Sequence, residues 1–344
     1  MMKNVLTLLV LSTSLALSQN SMAFSLNLFS PQHTQVKNSR LDSRVIHFYA
    51  TQAHSNYAKT QFPILLVHGF GLGFSRIGND LAGIDQFYQI PSDLARNGAS
   101  VFVAEISIVE SNAVRGEQAL AQLDEALAVT GKSKVNLIGH SHGGPTIRYI
   151  EIVAPHKVAS MTGIAGTFKG SPVADTMIGN PVLKTIGQPL IGGLVANALQ
   201  LLEGNPRLSV NYNDAMYDLS EKGAAVFNAK FPSAAIPKDC NSQGSKRTAN
   251  GIYHYSWSGS AKVTNLLDPD TLLVGVTSAL MPHVRNHDGL VPICNSNYGH
   301  VIRNNYNLNH IDEANQLFGL KALFSPDPVQ IFREHANRLK LQGL

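Results

Sequence analysis

Val135-Asn136-Leu137-Ile138-Gly139-His140-Ser141-His142-Gly143-Gly144-Pro145-Thr146-Ile147 changes character at its centre. Val135 to Ile138 is a short run of mostly apolar residues that reads as a buried strand, and Pro145 opens a helical pattern running to Val153. Between them, Gly139-His140-Ser141-His142-Gly143 fits G-x-S-x-G, a pattern of little weight alone and of more weight between a strand and a helix. Such a turn holds its central serine in a strained backbone conformation. Side chains at Gly139 and Gly143 would collide with the neighbouring strand and helix. The helix start also points N–H groups and the positive end of its dipole at any negative charge developing beside Ser141.

On both sides of this turn the chain repeats the alternation. Ile64 to Val67 and Val101 to Ala104 are all-apolar strands, Gln118 to Val129 has helical spacing ending at Gly131, and Val158 to Ile164 is a further strand. Strands alternating with helices predict an α/β fold with a mostly parallel sheet flanked by helices and a ligand at the carboxyl ends of the strands. The second half is less regular. Gly251 to Trp257 and Leu272 to Val276 read as strands, and Asp327 to Lys340 as a helix. With 344 residues, 44% hydrophobic and 15% charged, the chain can fill one large core, and no Pro/Gly/Ser-rich linker divides it. The net charge of +4 comes from dispersed basic residues, which excludes a nucleic-acid partner as a working reading.

Lys3, the apolar stretch Val5 to Leu17 and Ser21-Met22-Ala23 read as a secretory signal over residues 1–23, with an apolar run too short for a membrane anchor. One domain is expected over 24–344. Residues 24 to about 56 read as a polar surface extension with a single strand at Val45 to Tyr49. Cys240 and Cys294 are the two cysteines, and in an exported protein two cysteines more often bridge than stay free.

A serine nucleophile needs a base, and the base needs an acid that fixes its tautomer. Downstream of Ser141 stand His142, His156, His254, His283, His287, His300, His310 and His335. His310, in Asn309-His310-Ile311-Asp312-Glu313, and Asp288, beside the apolar run Leu290-Val291, satisfy the chain order Ser, Asp, His. The residues alone leave other pairings open. Two oxyanion donors are expected: the His142 N–H after the serine, and the Phe70 N–H in the glycine-rich loop that follows the Ile64 to Val67 strand.

Leu66-Val67-His68-Gly69-Phe70, the stretch from Val135 to Thr146, Tyr255-Ser256-Trp257-Ser258-Gly259, Leu267-Asp268-Pro269 and Asn309-His310-Ile311-Asp312-Glu313 together resemble the secreted, foldase-dependent bacterial triacylglycerol lipases (family I, Pseudomonas type). The likeness runs from about Phe62 to Lys340. It implies an α/β-hydrolase fold with Ser141 as nucleophile, Asp288 as acid, His310 as base, and Phe70 and His142 as the oxyanion hole. It further implies one structural Ca2+ held by the Asp268 and Asp312 carboxylates and the Gln316 and Leu320 carbonyls, a Cys240–Cys294 disulfide, a foldase partner, a secreted monomer, and acylglycerol substrate met at an oil–water interface. Leu190, Ile191, Leu194, Val195, Ala198, Leu199 and Leu202 recur at helical spacing between Pro189 and Gly204, and in the family this region, here an insertion of about 170–220, is an amphipathic lid. A carboxylesterase acting on soluble short-chain esters is the alternative. The chain departs from the family at Thr167-Phe168, ahead of Lys169-Gly170-Ser171, where Pro-His is usual.

Overall fold

The computed structural model describes residues 32–37, 44–71, 73–77, 84–265, 268–316 and 318–344. The signal expected at 1–23 lies outside them, as do Leu72 and Leu267.

Eight strands form one sheet: β1 (Gln32–Lys37), β2 (Arg44–Tyr49), β3 (Ile64–Val67), β6 (Val101–Ala104), β7 (Val135–His140), β8 (Val158–Ile164), β9 (Tyr253–Gly259) and β10 (His300–Tyr306). Two short strands, β4 (Arg76–Ile77) and β5 (Ile84–Asp85), pair separately. The spatial order is β1-β2-β6-β3-β7-β8-β9-β10. From β6 to β10 every pairing is parallel, while β1 and β2 join antiparallel at one edge. The polar leading segment is thus more than a surface extension, because Val45, Ile46 and Phe48 of β2 are buried and tie it to β6.

The all-apolar strands β3 and β6 are buried at every position, as a sheet covered on both faces requires. One face packs Ile64, Leu66, Val103, Ile138 and Trp257 against Phe87, Leu94 and Phe332. The other packs Leu65, Val67, Phe102, Leu137 and Met161 against Ala119, Leu123, Ile147 and Ile150. These second-face partners lie on the Asn112–Thr130 and Gly143–Val153 helices.

The Asn112–Thr130 helix begins well before the expected Gln118, because the Ser111 side chain caps it by accepting from the Val114 N–H. The expected strand Leu272 to Val276 is instead part of the Pro269–Ala279 helix. Asp268 caps that helix and Pro269 occupies its first turn. A good start signal outweighs the small helical cost of the β-branched residues that suggested a strand. Nor does Pro189 begin the apolar helix. The helical path runs from Pro181–Gly187 through widened turns at Gln188–Val195 into Ala196–Leu202. Cys240 and Cys294 are disulfide-bonded.

Candidate active site

The turn between β7 and the Gly143–Val153 helix places Ser141 at φ 56°, a left-handed conformation that a serine adopts only when its surroundings enforce it. Its N–H donates to the Ile164 carbonyl at the carboxyl end of β8 (2.9 Å), and its own carbonyl accepts from Gly144 (2.9 Å). A Cβ on Gly139 would lie 2.3 Å from the Gly143 carbonyl oxygen, and one on Gly143 would lie 2.3 Å from that of Val67. The two motif glycines therefore allow β3, the turn and the helix to meet. Ser141 and the histidines on either side of it, His140 and His142, are all buried.

Asp288 and His310 meet at the same end of the sheet. His310 Nδ1 donates to Asp288 Oδ2 at 2.8 Å, and the His310 backbone N–H donates to the Asp288 carbonyl at 2.9 Å. The other carboxylate oxygen of Asp288 accepts from the N–H groups of Leu290 (2.9 Å) and Val291 (2.7 Å). Burial alone would raise this carboxyl. The His310 charge and these donors outweigh it and hold Asp288 below the ordinary carboxylate range. With Nδ1 committed to the acid, Nε2 is the basic nitrogen of His310. His140, next to Ser141 in sequence, donates from Nε2 to the His310 carbonyl at 2.8 Å, and the two rings lie 4.8 Å apart. That bond ties the base to the serine turn. Burial, then the nearby His310, lowers His140 to about 3, so its imidazole stays neutral.

The remaining downstream histidines have other settings. His254 bonds Glu151 (2.7 Å), His335 bonds Thr162 (2.8 Å), His287 accepts from the Gly289 N–H (3.0 Å), His142 bonds Asn112 (2.9 Å), and His156 and His283 are exposed. His300 stacks edge-on against Tyr255. Of the candidate bases, His310 is the one joined to an aspartate and to the serine turn.

On the other side of Ser141 lies the loop after β3. A Cβ on Gly69 would come within 2.9 Å of the Ser141 Cβ, so the backbone entering Phe70 passes directly over the serine. The Phe70 ring lies 6.2 Å from the His142 ring. Arg115, which sequence reasoning did not single out, is fully buried beneath this loop. Its guanidinium donates to the His68 carbonyl (2.6 Å), to Thr146 Oγ1 (3.1 Å) and to the Ser107 carbonyl. It thereby joins the loop after β3 to the helix after Ser141. Burial lowers it to about 9, partly offset by Glu110 and Glu203.

The Pro181–Leu202 segment covers this loop. Ile191, Ala196 and Leu199 pack in one apolar cluster with Phe70, Ile108 and Tyr212, and a Cβ on Gly71 would touch Ile191 at 3.8 Å. At its end, Glu203 Oε1 accepts from the N–H (2.5 Å) and the hydroxyl (3.0 Å) of Ser75, a residue 128 positions earlier. Burial raises the Glu203 carboxyl to about 8. The outer surface carries Leu194, Leu201 and Leu202 exposed. At Thr167-Phe168, the departure from the usual pattern, the Thr167 N–H donates to the Ser141 carbonyl (3.3 Å), while the phenylalanine turns into the core. Phe168 is buried, stacks on Tyr298 at 4.2 Å, and occupies the space left by Gly144, Gly163 and Gly166.

A short distance along the chain from His310, three carboxylates converge. Asp268, Asp270 and Asp312 each bring one oxygen within 4.8 Å of the others, and all three are buried. Among the described residues, Asp268 Oδ2, Asp270 Oδ2 and Asp312 Oδ1 have no hydrogen-bond partner. Burial raises Asp268 and Asp312 to about 6 and, with the charges of both neighbours, Asp270 to about 8. Three buried hard oxygens without donors fit a cation. Asp270 was not anticipated; its place one helical residue beyond the Asp268-Pro269 start was the available signal. Gln316 is buried and Leu320 exposed on the chain following Asp312. Glu313 is also buried. Burial first, and then the Asp288 charge, raise it well above the ordinary carboxyl range.

Residues 63–314 match the alpha/beta hydrolase fold family. The chain is 44% identical over 302 residues to a triacylglycerol lipase of Vibrio cholerae, covering 86% of this chain and 94% of that protein. It is 38% identical over 329 residues to one of Burkholderia plantarii (86% and 90%), and 37% identical over 296 residues to one of Pseudomonas fragi (83% and 98%). Two solved structures share the fold at low identity. The mature Bacillus licheniformis lipase BlEst2 superposes with a TM-score of 0.56 at 15% identity, covering 86% of this chain and 98% of that one. Staphylococcus hyicus lipase gives 0.54 at 18%, covering 85% and 99%. The chain belongs to the α/β-hydrolase family and, within it, to the bacterial triacylglycerol lipases.

Proposed function

We propose that Ser141, His310 and Asp288 carry the ester hydrolysis of this triacylglycerol lipase. The observation behind this is the left-handed Ser141 turn tied through His140 to a histidine whose Nδ1 is bound to a buried aspartate. His310 Nε2 takes the Ser141 proton as the hydroxyl attacks the ester carbonyl, and Asp288 stabilises the imidazolium. The Phe70 and His142 N–H groups receive the oxyanion, and His310 returns the proton to the departing alcohol. Water then attacks the acyl-enzyme, with the same histidine as base, and the fatty acid leaves.

The Pro181–Leu202 segment acts in this reading as a lid. It packs on Phe70, leaves Ser141 only 8% exposed, and turns leucines outward that a lipid surface would cover. Calcium is the cation assigned to Asp268, Asp270 and Asp312, with the Gln316 and Leu320 carbonyls completing its shell on the strength of the resemblance. When bound, it supplies structural cross-linking and no chemistry. Asp312 lies two residues after His310, so holding this carboxylate fixes the loop that aims the base. Export behind a signal at 1–23, folding on a dedicated foldase and a monomeric state complete the reading.

The test is fatty-acid release from a triolein emulsion at constant pH, with calcium present. The wild-type enzyme is expected to release acid while Ser141→Ala falls by roughly a million-fold in kcat. Substantial release by the variant would remove Ser141 from the mechanism. Hydrolysis of soluble short-chain esters without release from triolein would make the enzyme a carboxylesterase.

A further inference from the structure

The stretch that carries His310 and Asp312 is a long excursion from the carboxyl end of β10, and its two halves differ in character. Its neck is closed where the Ser325 hydroxyl donates to the Asn307 carbonyl (2.6 Å) and Asn307 Nδ2 donates to Ser325 Oγ (3.3 Å). The first half, from Leu308 to Gln316, is buried throughout. The second half reverses this: Phe318 is 47% exposed, Leu323 86%, and Phe324 fully exposed. Among the described residues, Leu323 and Phe324 are left almost wholly uncovered and Phe318 half covered, on a segment whose single charge is Lys321.

The outer half and its junction with the buried half are nonetheless held in place. Asn315 Nδ2 donates to the Tyr88 carbonyl (2.8 Å), the Phe318 ring meets Tyr88 edge-on at 6.0 Å, and Asn265 Nδ2 donates to the Lys321 carbonyl (3.3 Å). The last bond brings a second exposed apolar residue group alongside, since Val263, two residues from Asn265, is 59% exposed. Single exposed apolar residues are ordinary; a cluster fixed on one loop marks an interaction surface.

We propose that the Phe318–Phe324 segment is a fixed docking surface for an uncharged lipid aggregate, separate from the Pro181–Leu202 segment. The inference rests on the lipase reading of the site above. Its occupant follows from continuity: the same loop holds the catalytic base at its root and the apolar side chains at its tip, and a lipase meets its substrate as a water-insoluble phase. With Lys321 and, next to Val263, Lys262 as its basic residues, the surface falls short of the basic cluster that an anionic bilayer would call for, which favours a neutral acylglycerol surface. Leu323 and Phe324 would enter the lipid and bring the Ser141 end of the sheet against it, whether or not the other segment has moved.

The experiment compares the full-length enzyme with Leu323→Ser/Phe324→Ser, two positions outside the core. Three quantities are read: turnover of dissolved p-nitrophenyl acetate, partition onto triolein droplets, and oligomeric state. Soluble-ester kcat/KM is expected to be unchanged, while the partition coefficient falls about tenfold or more, with triolein hydrolysis at limiting surface falling in step. Ser141→Ala, inert on both substrates, should still adsorb like wild type. Unchanged partition of the double variant overturns the proposal. So does a parallel loss on soluble ester, which would mean that the tip acts through His310, or a dimer that becomes monomeric, which would make the patch a self-contact. Lower folding yield with unchanged adsorption would assign it to a protein partner and overturn the lipid assignment. Failure of the wild-type enzyme to cleave either ester would instead refute the lipase reading itself.

Discussion

Gly143 sets how closely the nucleophile turn approaches β3. A methyl group there would sit 2.3 Å from the Val67 carbonyl oxygen, and backbone on both sides leaves no flexible side chain to yield. Gly143→Ala is expected to cost roughly 1–3 kcal/mol, as overpacking does, and to remove most activity because the proposed oxyanion donor, the His142 N–H, moves with the turn. Gly131→Ala serves as the contrast. It sits at φ 64° with open space around it, so it should cost about 1 kcal/mol and leave turnover unchanged. Denaturant midpoints and ester kinetics on the two variants check this, and equal effects on activity would refute the crowding argument. Ser141 could be read directly because strand, glycine, serine, glycine and helix form one local pattern. Which histidine the fold brings to its turn could not be, since that depends on contacts such as the one between His140 and the His310 carbonyl, 170 residues apart. Arg115 was invisible for the same reason: a buried arginine bonded mainly to backbone carbonyls carries no sequence signature.

At the scale of elements, the loop–helix start at Asp268 and the loop after His310 are joined by three carboxylates whose pKa values are raised, by burial first, to about 6, 8 and 6. The sign follows from that direction. The metal-free fold prefers these groups protonated, so their favourable contribution is complete below about pH 4 and is lost as pH rises through 6 to 8. A cation requires them ionised, and its stabilisation grows over the same range. Removing calcium with EDTA is therefore expected to lower Tm little at pH 5 and substantially at pH 8. An equal drop at both would exclude the cluster as the metal site, and Asp270→Asn should shrink the pH 8 drop. The parallel strands were legible because burial on both faces leaves uninterrupted apolar runs. Leu272 to Val276 was misread because a short apolar run fits strand or helix alike, and the Asp268-Pro269 start that decides the matter stands just upstream. The Glu203–Ser75 contact, which fastens the apolar helical segment to the loop after β3, had no local signal.

For the whole molecule, the Cys240–Cys294 bond closes a loop of 54 residues between the approach to β9 and the turn beyond Asp288. Replacing both cysteines by serine is expected to cost about 3–4 kcal/mol, chiefly by freeing the unfolded chain. Guanidinium unfolding of the double variant against the oxidised protein measures this, and coincident midpoints would show the bridge to be thermodynamically idle. Turnover per folded molecule should persist, because Leu290 and Val291 hold Asp288 independently of the bridge. The order in which the sheet is assembled has one more effect. Ser141 follows β7, a strand near the middle of the row, whereas the proposed base, His310, sits beyond β10, the last strand of the row. On the proposed mechanism, a chain still emerging during synthesis can lay down β3, β6, β7 and β8 and yet hold Ser141 without its base until residue 310 has been made and β10 has paired. On that mechanism, any fragment that stops short of His310 therefore holds Ser141 without its base, and ester cleavage waits for the last strand of the row.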